Sequence, residues 1–433
     1  MMANLIQPKA TDSLEMWLSY LEQSHFKPID MGLERIQGVA SSLNLLNPAP
    51  YVITVAGTNG KGSTCRLLEV ALLNAGYRVG VYSSPHLIRY NERVRIQGET
   101  LPDHAHVASF AHIEQHKTAS LTYFEFSTLS ALYLFQQANL DVVILEVGLG
   151  GRLDATNIVD PNFAVITSID IDHVDFLGDN REQIGREKAG IFRPNIPVVI
   201  GEPDCPQSIL DQAKTLNCQK FQRNVEWQIS QKSDRLQWQT DSQPLDLPLP
   251  KIPVPNVGTA VAVLRHLPFD VPFEAIYQAV ANAQMPARFQ SLTEQDFAKF
   301  HGKRPLAKVI IDVGHNPHAA RYLAERLAEQ KSSVGKIYAV FSALVDKDLS
   351  GIVEPLAELI DEWHCAGLAG YRGQSGEAVQ QKLQTALPQA VSFAYENVPQ
   401  AAQSLFEKAE KEDLILVFGS FHTVADLLVW LES

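Results

Sequence analysis

Several features that would assign this chain to a familiar class are scarce or missing. Its 433 residues include only four cysteines, which form neither a CxxC pair nor a zinc-binding spacing. We therefore expect free thiols in a reducing, cytoplasmic compartment. No run of 18 consecutive apolar residues occurs, and Met1 to Asp12 lack an apolar stretch of signal-peptide length. We expect neither a bilayer-spanning segment nor secretion.

The chain also lacks an excess of positive charge. It has 36 lysines and arginines against 49 aspartates and glutamates, a formal net charge of −13. Because affinity for a phosphate backbone needs clustered positive charge, we expect no nucleic-acid or anionic-membrane partner. Small anionic ligands remain possible, since a few cations held locally are enough to bind them.

What the sequence does contain is an alternation of short apolar, β-branched runs with segments of helical periodicity. This alternation predicts an α/β fold, a mostly parallel sheet covered on both faces. A small antiparallel excursion is expected only at 225–239. The predicted strands are 51–56, 77–83, 141–147, 163–169, 197–200, 308–313, 336–341, 362–366 and 413–418. The predicted helices are two within the first 48 residues, one ending at Gly76, and those at 257–266, 273–283, 317–330, 349–360 and 423–431.

The length of the chain and the arrangement of its predicted strands and helices indicate more than one domain. At about 100–200 residues per domain, this length corresponds to two or three domains. We interpret Gln284–Phe289 as a hinge, because the alternation of strands and helices starts afresh after it. The predicted boundaries are 1–286 for a large N-terminal domain and 287–433 for a smaller C-terminal domain.

The segment Gly57-Thr-Asn-Gly-Lys-Gly-Ser63 stands between a predicted strand and a predicted helix. Its glycines allow backbone N–H groups to face a phosphate, the helix N-terminus adds partial positive charge, and Lys61 supplies a mobile cation. The spacing departs from GxxxxGK[ST], because two residues separate Gly57 from Gly60 and Gly62 precedes Ser63. An ordinary glycine-rich turn is the alternative, but the lysine and the hydroxyl favour a nucleotide site.

Polar side chains also follow other predicted strands. Ser83 and Ser84 come after the second strand, Glu146 lies near the end of the third, and His173 lies just beyond the fourth. Open α/β sheets bind ligands at the carboxyl ends of their strands, and Mg²⁺ prefers oxygen ligands. We predict a magnesium site beside the phosphate loop. The alternative for a lone glutamate at a strand end is a helix cap or an ion-pair partner.

Two further patterns are weaker. His112 and His116 are four residues apart in a helical stretch, a spacing that suits two metal ligands, but no third ligand accompanies them. A solvated helix face is the favoured interpretation. Gly148-Leu-Gly-Gly151 lacks the GxGxxG spacing of a dinucleotide loop, and the neighbouring Arg152 and Asp154 indicate a polar substrate loop instead.

The predicted second domain carries Asp312-Val-Gly-His-Asn-Pro317 at the end of a strand. Asn316 can cap the following helix, and Pro317 suits its first turn. Capping does not explain why Asp312 and His315 flank the same turn. Gly419-Ser-Phe-His422 repeats the strand, turn and helix order. Together these segments predict a second polar surface.

A series of sequence motifs along nearly the whole chain resembles the motifs of the folylpolyglutamate synthase family, within the ATP-dependent Mur ligase superfamily. The motifs are AGTNGKGS at 56–63, YSSPHLIRYNERV at 82–94, LTYFEF at 121–126, LEVGLGGRLDATN at 145–157, REKAGIF at 186–192, PARFQ at 286–290, DVGHNPHAA at 312–320 and GSFHTV at 419–424. The resemblance implies a P-loop domain and a second, smaller Rossmann-like α/β domain. It also implies that ATP phosphorylates the carboxylate of 7,8-dihydropteroate or of a reduced folate. The amino group of L-glutamate then attacks the acyl phosphate to form an amide.

The resemblance also implies roles for individual residues, matched motif by motif. Lys61, His173 and Lys188 would take part in catalysis, and Mg²⁺ would be bound by Ser84, Glu146 and His173. ATP would be bound by Gly57, Thr58, Asn59, Gly60, Lys61, Gly62, Ser63, Asn256, Arg288, Asp312 and His315. The other substrates would contact Asp30, Thr122, Tyr123, Phe124, Glu125, Leu153, Asp154, Ala155 and Ser420.

Lys188 matches the lysine that such enzymes carbamylate. Reaction with CO₂ would replace an ammonium, which Mg²⁺ repels, by a carboxylate that can approach the ion or order its shell. The residues Arg186-Glu-Lys-Ala189 alone favour a solvated helical lysine. The resemblance reverses that interpretation.

Other functions that use a phosphate loop are less well supported. A monofunctional folylpolyglutamate synthase or another Mur ligase shares the implied architecture, but the pteroate-type segments at 122–125 and 153–155 disfavour a cell-wall ligase. No guanine-binding Asn-Lys-x-Asp motif supports a nucleotide switch. A small-molecule kinase would release its phosphorylated product without requiring glutamate. We expect a monomer that binds only small molecules.

Overall fold

The computed structural model describes residues 6–27, 29–241 and 244–433. The chain divides into two compact units, Met1–Met285 and Pro286–Ser433, and the boundary falls within the segment interpreted as a hinge. Each unit is built on its own mostly parallel sheet with helices, which confirms the predicted α/β class. Among the described residues, no helix is both long and apolar enough to cross a membrane.

An eight-stranded sheet organises the first unit. Its order is β4-β3-β2-β5-β1-β6-β7-β8, where the strands are β1 (Tyr51–Ala56), β2 (Val79–Tyr82), β3 (Val94–Ile96), β4 (Glu99–Thr100), β5 (Val142–Glu146), β6 (Phe163–Ile166), β7 (Pro197–Ile200) and β8 (Gln219–Gln222). All neighbouring pairs from β2 to β8 are parallel, whereas β3 and β4 are antiparallel at one edge. The central strands are buried on both faces, which explains their continuous apolar sequences.

Helices cover both faces of this sheet. They are α1 (Leu14–Gln23), α2 (Glu34–Ser42), α3 (Lys61–Asn74), α4 (Asp103–His116), α5 (Tyr123–Gln137), α6 (Val174–Leu177), α7 (Arg181–Ala189), α8 (Gln207–Thr215), α9 (Val254–Arg265) and α10 (Phe273–Asn282). On one face α3, α9 and α10 share a core that includes Leu68, Val261 and Ile276. On the other face α1, α4 and α5 share a core around Trp17 and Phe110.

A small antiparallel sheet supports α9. Its strands are β9 (Gln228–Gln231), β10 (Leu236–Gln239) and β11 (Leu245–Leu247), which confirms the predicted excursion. The indole of Trp238 donates a hydrogen bond to the Gly258 carbonyl at 3.1 Å. A Cβ at Gly258 would lie 2.8 Å from the ring of Trp227, so only glycine permits this ring to pack so closely against α9. The sheet thereby holds the helix that carries Asn256.

A six-stranded sheet organises the second unit, with only its edge strand β12 antiparallel. Its order is β12-β13-β17-β14-β15-β16, where the strands are β12 (Gln290–Ser291), β13 (Lys308–Asp312), β14 (Ile337–Phe341), β15 (Glu362–Ala366), β16 (Ser392–Tyr395) and β17 (Leu414–Phe418). The helices are α11 (Pro317–Lys331), α12 (Leu349–Val353), α13 (Gly376–Ala386), α14 (Val398–Lys408) and α15 (Phe421–Leu431).

The predicted helix over 349–360 is wrong in its length. The α-helix ends at Val353 and is followed by a 3-10 turn, Glu354–Leu356. Pro355 explains the change, because proline has no N–H to donate and its ring clashes with the preceding turn. The sequence patterns also left the short edge strands β3 and β4 unassigned.

Candidate active site

The residues predicted to bind phosphate and metal lie at one edge of the first sheet. β2, β5, β1 and β6 are parallel neighbours, so the segments that follow them meet at the same edge. The phosphate loop follows β1, Ser84 follows β2, Glu146 ends β5, and His173 lies in the segment after β6. The structure therefore brings these strand ends together.

Two glycines shape the phosphate loop. Gly57 and Gly60 have φ angles of +152° and +83°, which favour glycine. A Cβ at Gly57 would lie 1.8 Å from the hydroxyl oxygen of Thr167, and one at Gly60 would lie 2.2 Å from Oδ1 of Asn256. Asn256 is thus beside the loop, although almost two hundred residues separate the two in sequence. No side chain fits at either glycine without rearrangement.

The segment after β6 fixes this loop in place. The Thr58 N–H donates to the Ser168 carbonyl at 2.8 Å, and the Asn59 N–H donates to the Ser168 hydroxyl at 3.0 Å. The Thr167 hydroxyl donates to the Asn59 carbonyl at 2.6 Å, and the Thr58 hydroxyl donates to the Asp170 carbonyl at 3.0 Å. Sequence reasoning missed Thr167 and Ser168, because an ordinary Thr-Ser pair carries no motif.

Two lysines share one carbonyl at the start of the loop. The ammonium of Lys61 lies 3.0 Å from the Gly57 oxygen, and that of Lys188 lies 3.1 Å from the same atom. Lys188 is 4% exposed, so the solvated position that its neighbours in sequence favoured is wrong. Burial, and then repulsion from Lys61, lower the pKa of Lys188 to about 7.

Glu146 is the buried carboxylate next to the phosphate loop. It is 5% exposed, and a Cβ at Gly62 would lie 3.7 Å from its Oε2. Its carboxylate therefore faces the first turn of α3. Carboxylate and hydroxyl oxygens are the donors that Mg²⁺ prefers, so Glu146 and Ser84 fit a magnesium ion chemically.

His173 is the more exposed member of the predicted metal set. Its backbone is left-handed, with φ +53°, and its Nε2 lies 3.9 Å from Oδ2 of Asp172. Among the described residues, no group of three or more His, Cys, Asp or Glu side chains is close enough to hold a metal ion. The predicted set has only two members of these types, since its third ligand is a serine.

The segments predicted to contact the pteroate are joined by an arginine that sequence reasoning missed. Arg35 bonds Asp30 at 2.8 Å and Glu125 at 2.8 Å. Glu125 also accepts the Thr122 N–H at 2.8 Å, and Thr122 caps α5 in return. A hydrogen bond from Lys27 is the main cause of a lowered pKa at Asp30. Asp30 and the 122–125 segment thus form one charged cluster.

Two aromatic rings of the 122–125 segment make close contacts within the first unit. The Phe124 ring lies against Gly148, where a Cβ would be 2.5 Å from it. The Arg93 guanidinium lies 5.4 Å from the centre of the Tyr123 ring.

In the neighbouring loop, the buried Asp154 carboxylate accepts the N–H groups of Gly148 and Leu149 at 3.0 and 2.8 Å. Burial raises the pKa of Asp154. Leu153 is half-buried and Ala155 is buried. Arg152 pairs with Glu187 at 2.9 Å, so the two charged residues that indicated a polar substrate loop both have partners within the protein.

The paired histidines lie where a surface helix face was expected. The His112 and His116 rings are 4.6 Å apart between centres, and His112 stacks on Tyr133 at 4.5 Å. His116 is exposed and His112 is partly exposed.

The second unit places its predicted residues around β13 and the start of α15. The Asp312 carboxylate accepts the N–H groups of Phe289 at 2.8 Å and Gly314 at 2.6 Å, and burial raises its pKa. The Arg288 guanidinium lies 5.3 Å from the centre of the Phe421 ring.

His315 and two capping residues lie in the same region of the second unit. His315 has its ring 6.1 Å from that of Phe421. Ser420 caps α15 through the Thr423 N–H at 3.0 Å. Asn316 caps α11 and Pro317 occupies its first turn, as predicted.

Comparisons with known proteins show the family of this chain. A dihydrofolate synthase/folylpolyglutamate synthase from Haemophilus influenzae is 57% identical over 430 residues, which cover 98% of each chain. The chain belongs to the dihydrofolate synthase/folylpolyglutamate synthase family. Two domain families also match this chain. Residues 55–247 match the Mur ligase middle domain, and residues 297–421 match the Mur ligase, glutamate ligase domain.

Solved structures of the family have the same fold. Escherichia coli FolC in complex with DHPP and ADP has a TM-score of 0.91 at 49% identity, covering 98% of both chains. A bifunctional folylpolyglutamate synthase/dihydrofolate synthase with Mn, AMPPNP and L-glutamate bound has a TM-score of 0.89 at 51% identity. The alignment covers 98% of this chain and 100% of that one.

Proposed function

We propose that this protein is an ATP-dependent ligase that adds L-glutamate to 7,8-dihydropteroate, giving dihydrofolate, and to reduced folates. The observation that carries the proposal is the start of α3, where Gly60, Lys61 and the Glu146 carboxylate meet at the edge of a parallel sheet. The similarity to family members that bind ADP, DHPP and glutamate supports the choice of substrates.

The phosphate loop binds ATP in this proposal. The N–H groups of the first turn of α3, which begins at Lys61, would face the phosphates, and Asn256 lies beside Gly60. The attacking carboxylate and the γ-phosphate are both negative, so their approach requires local positive charge. Lys61 is placed to supply it, because its ammonium already lies within the loop.

Ser84, Glu146 and His173 would hold the magnesium ion. When bound, the ion would neutralise phosphate charge and help orient the nucleotide. Glu146 is buried against the first turn of α3, so its carboxylate is directed towards the phosphate loop and away from water. His173 would also support the negative charge that develops on oxygen when the acyl carbon becomes tetrahedral.

The acceptor would lie along the charged cluster of the first unit. Asp30 and residues 122–125 are joined through Arg35, and Leu153, Asp154 and Ala155 belong to the loop that follows β5. In the second unit, Arg288, Asp312, His315 and Ser420 would serve the nucleotide or glutamate. We further propose that 1–286 and 287–433 are separate domains of a cytoplasmic monomer.

We propose that Lys188 is carbamylated, and its burial and low pKa support this. The neutral amine attacks CO₂, a C–N bond forms, and the nitrogen releases a proton. A pKa of about 7 keeps about half of the amine neutral at pH 7, whereas an ordinary lysine is almost entirely protonated. The product carries negative charge next to Lys61, so two cations on one carbonyl become an attractive pair. Lys188 is only 4% exposed, so little water reaches its amine.

The proposed reaction is tested by following ADP release. We expect release with dihydropteroate only when L-glutamate is also present, and the same dependence with a reduced folate. Release without glutamate would indicate a small-molecule kinase, and release that ignores both substrates would contradict the ligase. A ligase active only on reduced folates would show a monofunctional enzyme.

A further inference from the structure

A buried ion pair joins the phosphate-loop helix to β3. Glu69 lies on α3, two turns after Lys61, and its side chain is fully buried. Arg95 on β3 donates from Nε to Glu69 Oε1 at 3.0 Å and from Nη2 to Oε2 at 3.0 Å. An unpaired carboxylate in this position would carry a large desolvation cost, so the two charges hold each other in place.

The same guanidinium also reaches the turn that carries Ser84. Arg95 Nη1 donates to the Ser83 hydroxyl at 3.2 Å and to the Glu92 carbonyl at 3.3 Å. These two acceptors lie at opposite ends of the turn from Ser83 to Glu92. One side chain therefore connects both ends of this turn to α3.

The second half of the turn, residues 87–92, is held in shape by Glu92. Its carboxylate accepts the N–H groups of Leu87, Ile88 and Arg89 at 2.7, 2.8 and 2.6 Å. These bonds do not reach Ser84, so its position relative to the phosphate loop depends on how the ends of the turn are attached. Arg95 provides such an attachment, directly to the helix that begins at Lys61.

We propose that Arg95 is a positioning residue that sets Ser84 relative to the phosphate loop and so tunes the affinity for the divalent ion. This inference rests on the proposed function, in which Ser84 is a metal ligand. Groups that orient metal ligands from outside typically change metal affinity by about 10–100-fold when they are altered. Arg95 does so through Ser83, the neighbour of the ligand in the chain.

Arg66 offers a matched control. It bonds the same Glu69 carboxylate at 2.9 Å, but it lies on α3 itself, three residues from Glu69. A residue on α3 that pairs with another residue on α3 does not attach the helix to the turn. Changing Arg66 therefore disturbs the charge around Glu69 and leaves the attachment in place.

The test compares three variants, Arg95→Lys, Ser83→Ala and Arg66→Lys. Arg95→Lys keeps a positive charge beside Glu69, and Ser83→Ala keeps the whole ion pair and removes only the hydroxyl. The measurement is the dissociation constant of Mn²⁺ from the full-length protein saturated with ADP, followed by water-proton relaxation. We expect Arg95→Lys to weaken Mn²⁺ by roughly ten-fold, Ser83→Ala to weaken it in the same direction, and Arg66→Lys to leave it unchanged.

Each result decides between positioning and a general role in stability. Unchanged Mn²⁺ affinity in folded Arg95→Lys and in Ser83→Ala overturns the inference, and so does an equal loss in Arg66→Lys. If Arg95→Lys does not fold, Ser83→Ala alone decides, because it retains the ion pair. If the unsubstituted protein with ADP binds no Mn²⁺, the proposed metal site itself is wrong and the inference falls with it.

Discussion

The two units begin their strand-end helices in different ways. In the first unit the N-cap residue of α3 is Gly60, which has no side chain to cap the N–H groups of the first turn. In the second unit the N-cap residues of α11 and α15 are Asn316 and Ser420. Their side-chain oxygens accept the N–H groups of Ala319 and Thr423 at 2.9 and 3.0 Å. The order of strand, turn and helix is the same in all three places.

This difference shows why similar patterns need not bind the same ligand. A side-chain cap satisfies first-turn N–H groups and stabilises the helix. A glycine start leaves those groups available, and their partial positive charge attracts an anion. We therefore expect the phosphates at α3, and we expect the second unit to contribute through the side chains of Arg288, Asp312 and His315, which lie outside α11 and α15.

The largest effect is expected from Lys61→Ala. The cation that offsets repulsion between two anions is lost, so kcat for glutamate-dependent ADP release should fall by about a thousand-fold or more. Lys382→Ala, at an exposed lysine of the second unit, is the control and should retain normal turnover. Circular dichroism should show both variants folded. Normal turnover by Lys61→Ala would contradict the assignment of the phosphate loop.

Gly60→Ala should have the next largest effect. A left-handed backbone costs a residue with a Cβ about 1–2 kcal/mol, and here the Cβ would also lie 2.2 Å from Asn256 Oδ1. The loop must move, so KM for ATP should rise by about ten-fold or more.

Gly370→Ala is the matched control for Gly60→Ala. Its φ of +91° imposes similar backbone strain, but nothing lies within 4 Å of the added Cβ. It should lose only stability, measured by urea unfolding. If both variants bound ATP as well as the unsubstituted protein does, the close fit around Gly60 would be irrelevant to the nucleotide.

Carbamylation of Lys188 should depend on pH in a defined direction. Only the neutral amine reacts with CO₂, and its pKa is about 7. At a fixed CO₂ concentration the carbamate should therefore decrease as the pH falls below 7 and increase above it. The measurement is the ¹³C NMR signal after incubation with ¹³C-bicarbonate.

Lys188→Ala provides the control for this measurement. It should lose the carbamate signal, and its ligase activity should be partly restored by bicarbonate or a short carboxylic acid. An unmodified Lys188 at saturating CO₂, in a protein with full activity, would rule out the modification.

The parts of the site that could be predicted are those carried by local sequence. The glycines and lysine of the phosphate loop, and the polar residues after β2, β5 and β6, each follow a recognisable strand. Arg35 could not be found in this way, because it meets Glu125 across 90 positions of the chain. Neither Arg35 nor Arg95 lies in a pattern that distinguishes it from an ordinary surface arginine.

The burial of Lys188 shows a second limit of local patterns. Its helix, Arg181–Ala189, is rich in charged residues, a composition that predicts exposure to solvent. The chain after β5 nevertheless packs directly on the end of this helix. A Cβ at Gly151 would lie 2.8 Å from the Glu187 carbonyl, and one at Gly190 would lie 2.4 Å from Cβ of Arg152. Two glycines far apart in sequence allow this close contact, and the contact buries the lysine.

The smallest predicted effect concerns the capped helices. Asn316→Ala removes the oxygen that accepts the Ala319 N–H, so the free energy of unfolding should fall by about 1 kcal/mol. Asn316→Ser keeps a capping oxygen and should lose much less. Urea denaturation measures both. Equal losses in the two variants would show that Asn316 stabilises α11 through contacts other than its cap, and would weaken the contrast between α11 and α3.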